Sequence, residues 1–218
     1  MEASEMGFTL LELFQLGGVL MWPLLVFSIA AVGITLERGV YLFYHNLKLE
    51  DLKEKLQIFI RDGQMEKAVE FLEGQSRRRV GARILLTLIK RSELSEYRLE
   101  KAVEAEAMKS VSSLESGFSF LTALGAISPL TGFLGTVTGM IGAFRSIAEA
   151  VDVNAQIVAS GIYEALITTV FGLAIAIVAM SAHSLFSHIV DKFTSEVETV
   201  CSDLIIVLAE TAAGADEN

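Results

Sequence analysis

Three long uncharged runs dominate the pattern of apolar and polar residues along this chain. They lie between Glu12 and Glu37, between Glu115 and Arg145, and, with one charge inside, between Asp152 and Asp191. Each reaches the roughly 20 residues that a membrane-spanning helix requires. The pattern therefore predicts an all-α polytopic membrane protein with three transmembrane helices.

The segment between the first two runs has the spacing of amphipathic helices. We expect helices over Leu49–Arg61, ending at Asp62–Gly63, over Gln64–Glu73, ending at Gly74, and over Val80–Arg91, with glycine suiting the helix ends. Ser95 is expected to cap a much longer helix, which should run unbroken into the second span because no breaker is apparent before Gly125.

Two further helices are expected outside that segment. Phe8–Phe14 should form a short interfacial helix ending at Gly17–Gly18, and Trp22–Pro23 should mark the outer end of the first span. The third span should continue into the cytoplasm, so that a helix from Gln156 to Ala209 would be about 80 Å long at 1.5 Å per residue.

Charge placement predicts the topology. No Lys or Arg precedes Arg38 or falls within 146–158, and most basic residues lie between the first two spans, which predicts a periplasmic N-terminus and a cytoplasmic C-terminus. The acidic N-terminus is unlike a cleaved signal peptide. The expected organisation is an interfacial helix over 1–17, a span over 18–43, a cytoplasmic helical domain over 44–115, a span over 116–145, a periplasmic loop over 146–155, a span over 156–183, and a cytoplasmic C-terminal helix and tail over 184–218.

Composition excludes several classes of function for this chain. Hydrophobic residues make up 52% of the chain and the net charge is -10, which does not fit nucleic-acid binding. Cys201 is the only cysteine, so we expect a packed thiol and neither an intrachain disulfide nor a cysteine metal site. Arg77–Arg79 is expected to be a solvated or lipid-headgroup patch. No catalytic, cofactor or metal-binding motif is apparent, which argues against an enzyme.

Glu164 is the most informative residue, because it is the only formally charged residue between Val158 and His183. A carboxylate near the bilayer centre costs about 2.5–3.5 kcal/mol on translocon scales and usually serves ion or proton handling. On a helix it shares a face with Ser160, Gly161 and Thr168, a small polar stripe that suits a bundle interior or pore. Snorkelling toward the outer interface is the alternative.

The second run carries a matching stripe of small residues after Pro129. Gly132, Gly135 and Gly139 recur at helical spacing, and Gly172 extends the small side of the third run. Hydroxyls accompany them in both runs, at Thr131, Thr136, Thr138, Thr168 and Thr169. The alternative for Thr136 and Thr169 is a hydrogen bond to the preceding helical turn. His183 and His188 are expected at the cytoplasmic interface rather than at a metal.

Three segments resemble the MotA/TolQ/ExbB proton channel family, and within it ExbB or TolQ most. They are Gly17–Gly18 through Trp22–Pro23 to Glu37–Arg38, the motif from Ser128 to Met140, and the motif from Gly161 to Leu173. By position, Thr136 and Thr169 match pore threonines and Glu164 matches the pore glutamate. Thr168 stands where the family usually has Ala, which leaves H⁺ or Na⁺ open as the coupling ion.

The resemblance implies a homopentamer in the bacterial inner membrane, with a pore lined by the second and third spans. It implies a single-span partner of the ExbD or TolR type, in two copies, whose rotation is stepped by protonation, and an energy transducer of the TonB or TolA type. The residues alone also suggest a partner, since one carboxylate cannot relay a proton far. A TolQ-type role in envelope integrity and a non-conducting scaffold remain alternatives. An intramembrane hydrolase is disfavoured, because Ser181 and His183 point to different helix faces.

Overall fold

The computed structural model describes residues 10–45, 47–149 and 155–216, and their regular secondary structure is entirely helical. These residues form two compact units. The first, the membrane unit, comprises the described residues up to Glu37 together with Gly117–Ser184, and the second unit comprises Arg38–Ser116 and the described residues from Leu185 onward. The all-α prediction is confirmed.

The membrane unit contains the long apolar helices. It holds α1 (Leu10–Leu16), most of α2 (Met21–Tyr44), α7 (Phe118–Glu149) and the first part of α8 (Ala155–Asp216). Three helices are long and apolar enough to cross a membrane, over Met21–Tyr44, Phe118–Glu149 and Ala159–Thr211, as predicted. Many of their large apolar side chains are exposed, as expected of helices that face lipid or other membrane helices.

A glycine turn joins the first two helices. α1 ends at Leu16, and Gly18 adopts a left-handed φ of 69° before α2 begins at Met21. Pro23 lies in the first turn of α2, where a missing N–H is tolerated. The predicted start of the first helix at Phe8 and Thr9 lies outside the described residues, as do residues 150–154 of the predicted loop over 146–155, whereas residues 146–149 belong to α7 (Phe118–Glu149).

The prediction of an unbroken helix from Ser95 into the second span is wrong. α6 (Glu96–Leu114) ends where the Glu115 N–H bonds to the carbonyl of Val111, and α7 begins only at Phe118. Gly117 separates the two with a φ of 87°, which glycine adopts without a Cβ penalty. The predicted helix did not account for this glycine. Ser95 does precede α6, but its side chain makes no capping hydrogen bond.

The second unit is built on α3 (Glu50–Arg61), α4 (Met65–Gln75), α5 (Val80–Lys90) and α6, with the ends of α2 and α8. Its apolar core includes Leu52, Leu56, Ile60, Leu72, Ile84, Leu88 and Phe193. Gly63, at a φ of 68°, ends α3 as predicted. Gly74 does not end its helix, because α4 continues to Gln75; one glycine inside a helix costs only about 1 kcal/mol.

Arg79 also departs from the expected solvated patch. Its side chain is buried, and its guanidinium donates to both Asp51 carboxylate oxygens at 2.5 and 2.6 Å and to the Lys48 carbonyl at 2.5 Å. The hydrogen bond from Arg79 lowers the pKa of the Asp51 carboxyl below its usual value. Arg77 and Arg78 remain exposed, so the patch has two arginines rather than three. Cys201 is buried on α8, as expected of a packed thiol.

Candidate functional site

Glu164 lies on α8 directly against the glycine turn between α1 and α2. A Cβ placed on Gly18 would stand 1.8 Å from the Glu164 Oε1 atom and 2.8 Å from its Cδ. The side chain is half-buried rather than extended into solvent. The turn therefore approaches the carboxylate so closely that no side chain larger than hydrogen fits at residue 18 in this conformation.

A cleft of about 770 Å³ opens beside this carboxylate. Its walls come from the end of α1, the turn that follows it, and facing stretches of α7 and α8. Glu164 is the one charged side chain among the described residues that line it, and the polar lining residues are Gln15, Thr138, Ser146, Ser160, Tyr163 and Thr168. The arrangement can present a single proton acceptor, surrounded by hydroxyl and amide groups, to a guest in the cleft.

Glycines bring α7 and α8 into close contact below and beside the cleft. A Cβ on Gly132 would lie 2.9 Å from the Thr168 carbonyl oxygen and 3.0 Å from the Thr169 Cα, so the two backbones nearly touch there. Gly135 abuts the Thr168 side chain, Gly139 faces Ala165, Gly161 faces Ala143, and Gly172 faces the Ser128 carbonyl. The small residues of the sequence motifs thus form one helix–helix interface, with Pro129 within α7 beside buried Ser128.

The three candidate threonines fall in two different places. The Thr169 hydroxyl donates to the Gly132 carbonyl at 3.1 Å across the helix interface. The Thr168 hydroxyl lies 2.8 Å from the Ala165 carbonyl and 3.4 Å from the same Gly132 carbonyl, and its side chain is buried. Thr136 instead donates to the Phe133 carbonyl at 2.7 Å within its own helix, and it does not line the cleft.

The structure therefore brings together Glu164 and Thr168 at the cleft and joins Thr168 and Thr169 at Gly132, while Thr136 stands apart. The sequence reading missed the contribution of Gly18. Gly17–Gly18 was predicted to end the first helix and to begin the first family-like segment, although two successive glycines immediately before a span are also a signal for close backbone approach. His183, at the other end of the unit, packs edge-on against Phe118 with ring centroids 5.9 Å apart.

Comparison with known proteins gives a consistent result. The sequence profile of the MotA/TolQ/ExbB proton channel family matches residues 52–199. The chain is 33% identical over 207 residues to the putative biopolymer transport protein ExbB-like 1 of Synechocystis sp., which covers 92% of this chain and 80% of that protein. It is 32% identical over 201 residues to the putative ExbB homolog of Methanothermobacter thermautotrophicus, covering 88% and 67%.

A shorter match reaches a second branch. The chain is 32% identical over 114 residues to the Tol-Pal system protein TolQ of Haemophilus influenzae, covering 52% of this chain and 50% of that protein.

Proposed function

This chain belongs to the MotA/TolQ/ExbB proton channel family, and from that premise we propose that it is the channel-forming subunit of an inner-membrane ion motor. It would conduct protons and couple proton motive force to biopolymer transport across the envelope through a TonB-type transducer. The observation that carries this proposal is the isolated Glu164 carboxylate, held at a polar cleft within an otherwise uncharged membrane segment.

Glu164 is proposed to accept and release the transported proton. Thr168 and Thr169 would tune the polarity of the adjacent helix interface, and Thr136 would contribute on the exposed side of α7. Because the cleft offers one carboxylate among its described residues, a second titratable group must come from elsewhere. We assign it to a single-span partner of the ExbD or TolR type, in two copies within a pentamer of this chain, with the N-terminus periplasmic and the C-terminus cytoplasmic.

A second candidate is the TolQ-type role in envelope integrity, favoured by the match to the Haemophilus influenzae protein. It requires the same ion-conducting chemistry and differs in the transducer, which would be of the TolA type. Pull-down with the chain as bait separates the two, because an ExbB-type subunit retains a TonB-type transducer and a TolQ-type subunit retains a TolA-type one.

The decisive test is proton flux into liposomes that contain the chain and its genomic partner. Glu164→Gln keeps the size of the side chain and removes its titration, so flux should fall to background. Glu70→Gln is the matched control, since Glu70 is an exposed residue of α4 in the second unit. Flux unchanged in Glu164→Gln would contradict the proton-carrying role and favour a non-conducting scaffold.

A further inference from the structure

A second groove lies in the second unit, between the end of α2 and the part of α8 that follows Leu185. Its volume is about 750 Å³. Leu42, Phe186 and Phe193 line it and are buried, so they form an apolar floor. Gly39 leaves the floor open, because a Cβ there would meet only the Phe186 Cζ, at 3.8 Å. Phe43, at the rim, is 92% exposed.

The rim of this groove carries mainly basic side chains. Lys48 and Lys192 line it together with His45 and His188. Glu196 is the one acidic residue among the described residues that line it, and its Oε1 accepts the Leu49 backbone N–H at 2.9 Å. An apolar floor under a cationic rim is complementary to an amphiphile with an anionic head.

The groove begins where the apolar runs end. Gly39 is two residues beyond Glu37, which ends the first run, and Phe186 and Lys192 lie on either side of Asp191, which ends the third. Chain segments at the ends of spanning runs meet the headgroup region of a bilayer, since the hydrocarbon core is about 30 Å of a total about 40–45 Å thick.

We propose that this groove is a binding site for an anionic phospholipid, with an acyl chain on the apolar floor and the phosphate near Lys48 and Lys192. Basic pockets between helices at the cytoplasmic side of a membrane recognise such headgroups. The site is separate from the Glu164 cleft and its residues belong to the other unit. The inference stands whether or not the chain conducts protons.

Native mass spectrometry of the purified full-length chain, titrated with phosphatidylglycerol or with phosphatidylcholine of the same acyl chains, tests the proposal. The wild-type protein should bind phosphatidylglycerol more tightly. In Lys48→Gln/Lys192→Gln that affinity should fall about 30-fold, which corresponds to about 1 kcal/mol per lysine. The control Lys67→Gln/Lys109→Gln removes the same charge from exposed positions outside the groove and should stay within about twofold of wild type.

Gly39→Leu tests the floor without changing charge. Its Cβ fits and its remaining atoms enter the groove, so binding of both lipids should be lost while the melting temperature is unchanged. Equal wild-type affinity for the two lipids, or an equal loss in the control variant, would overturn the proposal. So would groove variants that bind phosphatidylglycerol like wild type but change the oligomeric state, because they would assign the groove to a second copy of the chain.

Discussion

Replacing Gly18 by Ala should displace the Glu164 carboxylate, and the size of the effect follows from the geometry of the turn. The new Cβ would fall 1.8 Å from the Glu164 Oε1, whereas ordinary contacts between carbon and other heavy atoms lie near 3.5 Å. The carboxylate must therefore retreat by about 1.5 Å, or the turn must shift by as much. Residue 18 also has a φ of 69°, where a side chain adds about 1–2 kcal/mol of strain.

Both effects should appear in separate measurements. A displacement of about 1 Å at a reacting group can reduce a rate about 100-fold, so proton flux should fall by one to two orders of magnitude, about 10- to 100-fold. Thermal unfolding should show a smaller loss, about 1–3 kcal/mol. Gly33→Ala is the control, because Gly33 lies within α2 and a Cβ there meets nothing within 4 Å.

A double-mutant cycle separates steric contact from backbone strain. In the Glu164→Ala background the carboxylate is gone, so Gly18→Ala should cost only the strain of the left-handed conformation, about 1–2 kcal/mol. The difference between the two backgrounds measures the contact between Gly18 and Glu164. If Gly18→Ala conducts like wild type, or if the cycle shows no coupling, the turn does not position this carboxylate and the reasoning is refuted.

Two further predictions concern packing and charge. Gly132→Ala should destabilise the membrane unit in thermal unfolding, because its Cβ would lie 2.9 Å from the backbone oxygen of Thr168. Gly142→Ala is the control and should be tolerated, because its Cβ meets nothing within 4 Å. Equal melting temperatures of the two variants would contradict the close helix contact. Arg79→Ala should destabilise the second unit by about 2–3 kcal/mol at neutral pH, since it removes charged hydrogen bonds to Asp51. Because the folded pKa of Asp51 is lowered from 3.8, the Asp51 part of this contribution is present above pH 3.8 and lost as pH falls through the folded value, whereas the hydrogen bond to the Lys48 carbonyl does not titrate. The difference in stability between wild type and Arg79→Ala should therefore narrow in acid, and a constant difference down to pH 2 would be inconsistent with the pair.

The helical fold was predictable because it depends on the composition of long segments of the chain. Uncharged runs of spanning length fix the three apolar helices whatever their neighbours are, and the stop at Gly63 follows from local turn chemistry. Gly74 and Gly117 were misjudged for one physical reason. A glycine is compatible with a helix interior and with a helix end, and tertiary packing decides between them at a cost of about 1 kcal/mol.

The candidate site was predictable in its chemistry but not in its geometry. Glu164 stands out in any reading because its charge conflicts with its apolar surroundings. Arg79 was misplaced because its partner Asp51 is 28 residues away, and sequence proximity to Arg77 and Arg78 suggested a shared solvated face instead. Thr136 and Thr169 look alike in sequence, yet one bonds within its helix and the other across the interface, a difference set by helix rotation.

The glycine turn between α1 and α2 also contributes to the candidate site around Glu164. The family profile begins at residue 52, after α1 and α2, yet the end of α1 and the turn before α2 supply part of the wall around Glu164. The carboxylate on α8 therefore lies against a backbone segment that precedes the residues matched by the family profile. Since a backbone turn cannot titrate, it can hold the carboxylate in place through both protonation states without competing for the proton. This property would suit the proton-carrying role proposed for Glu164.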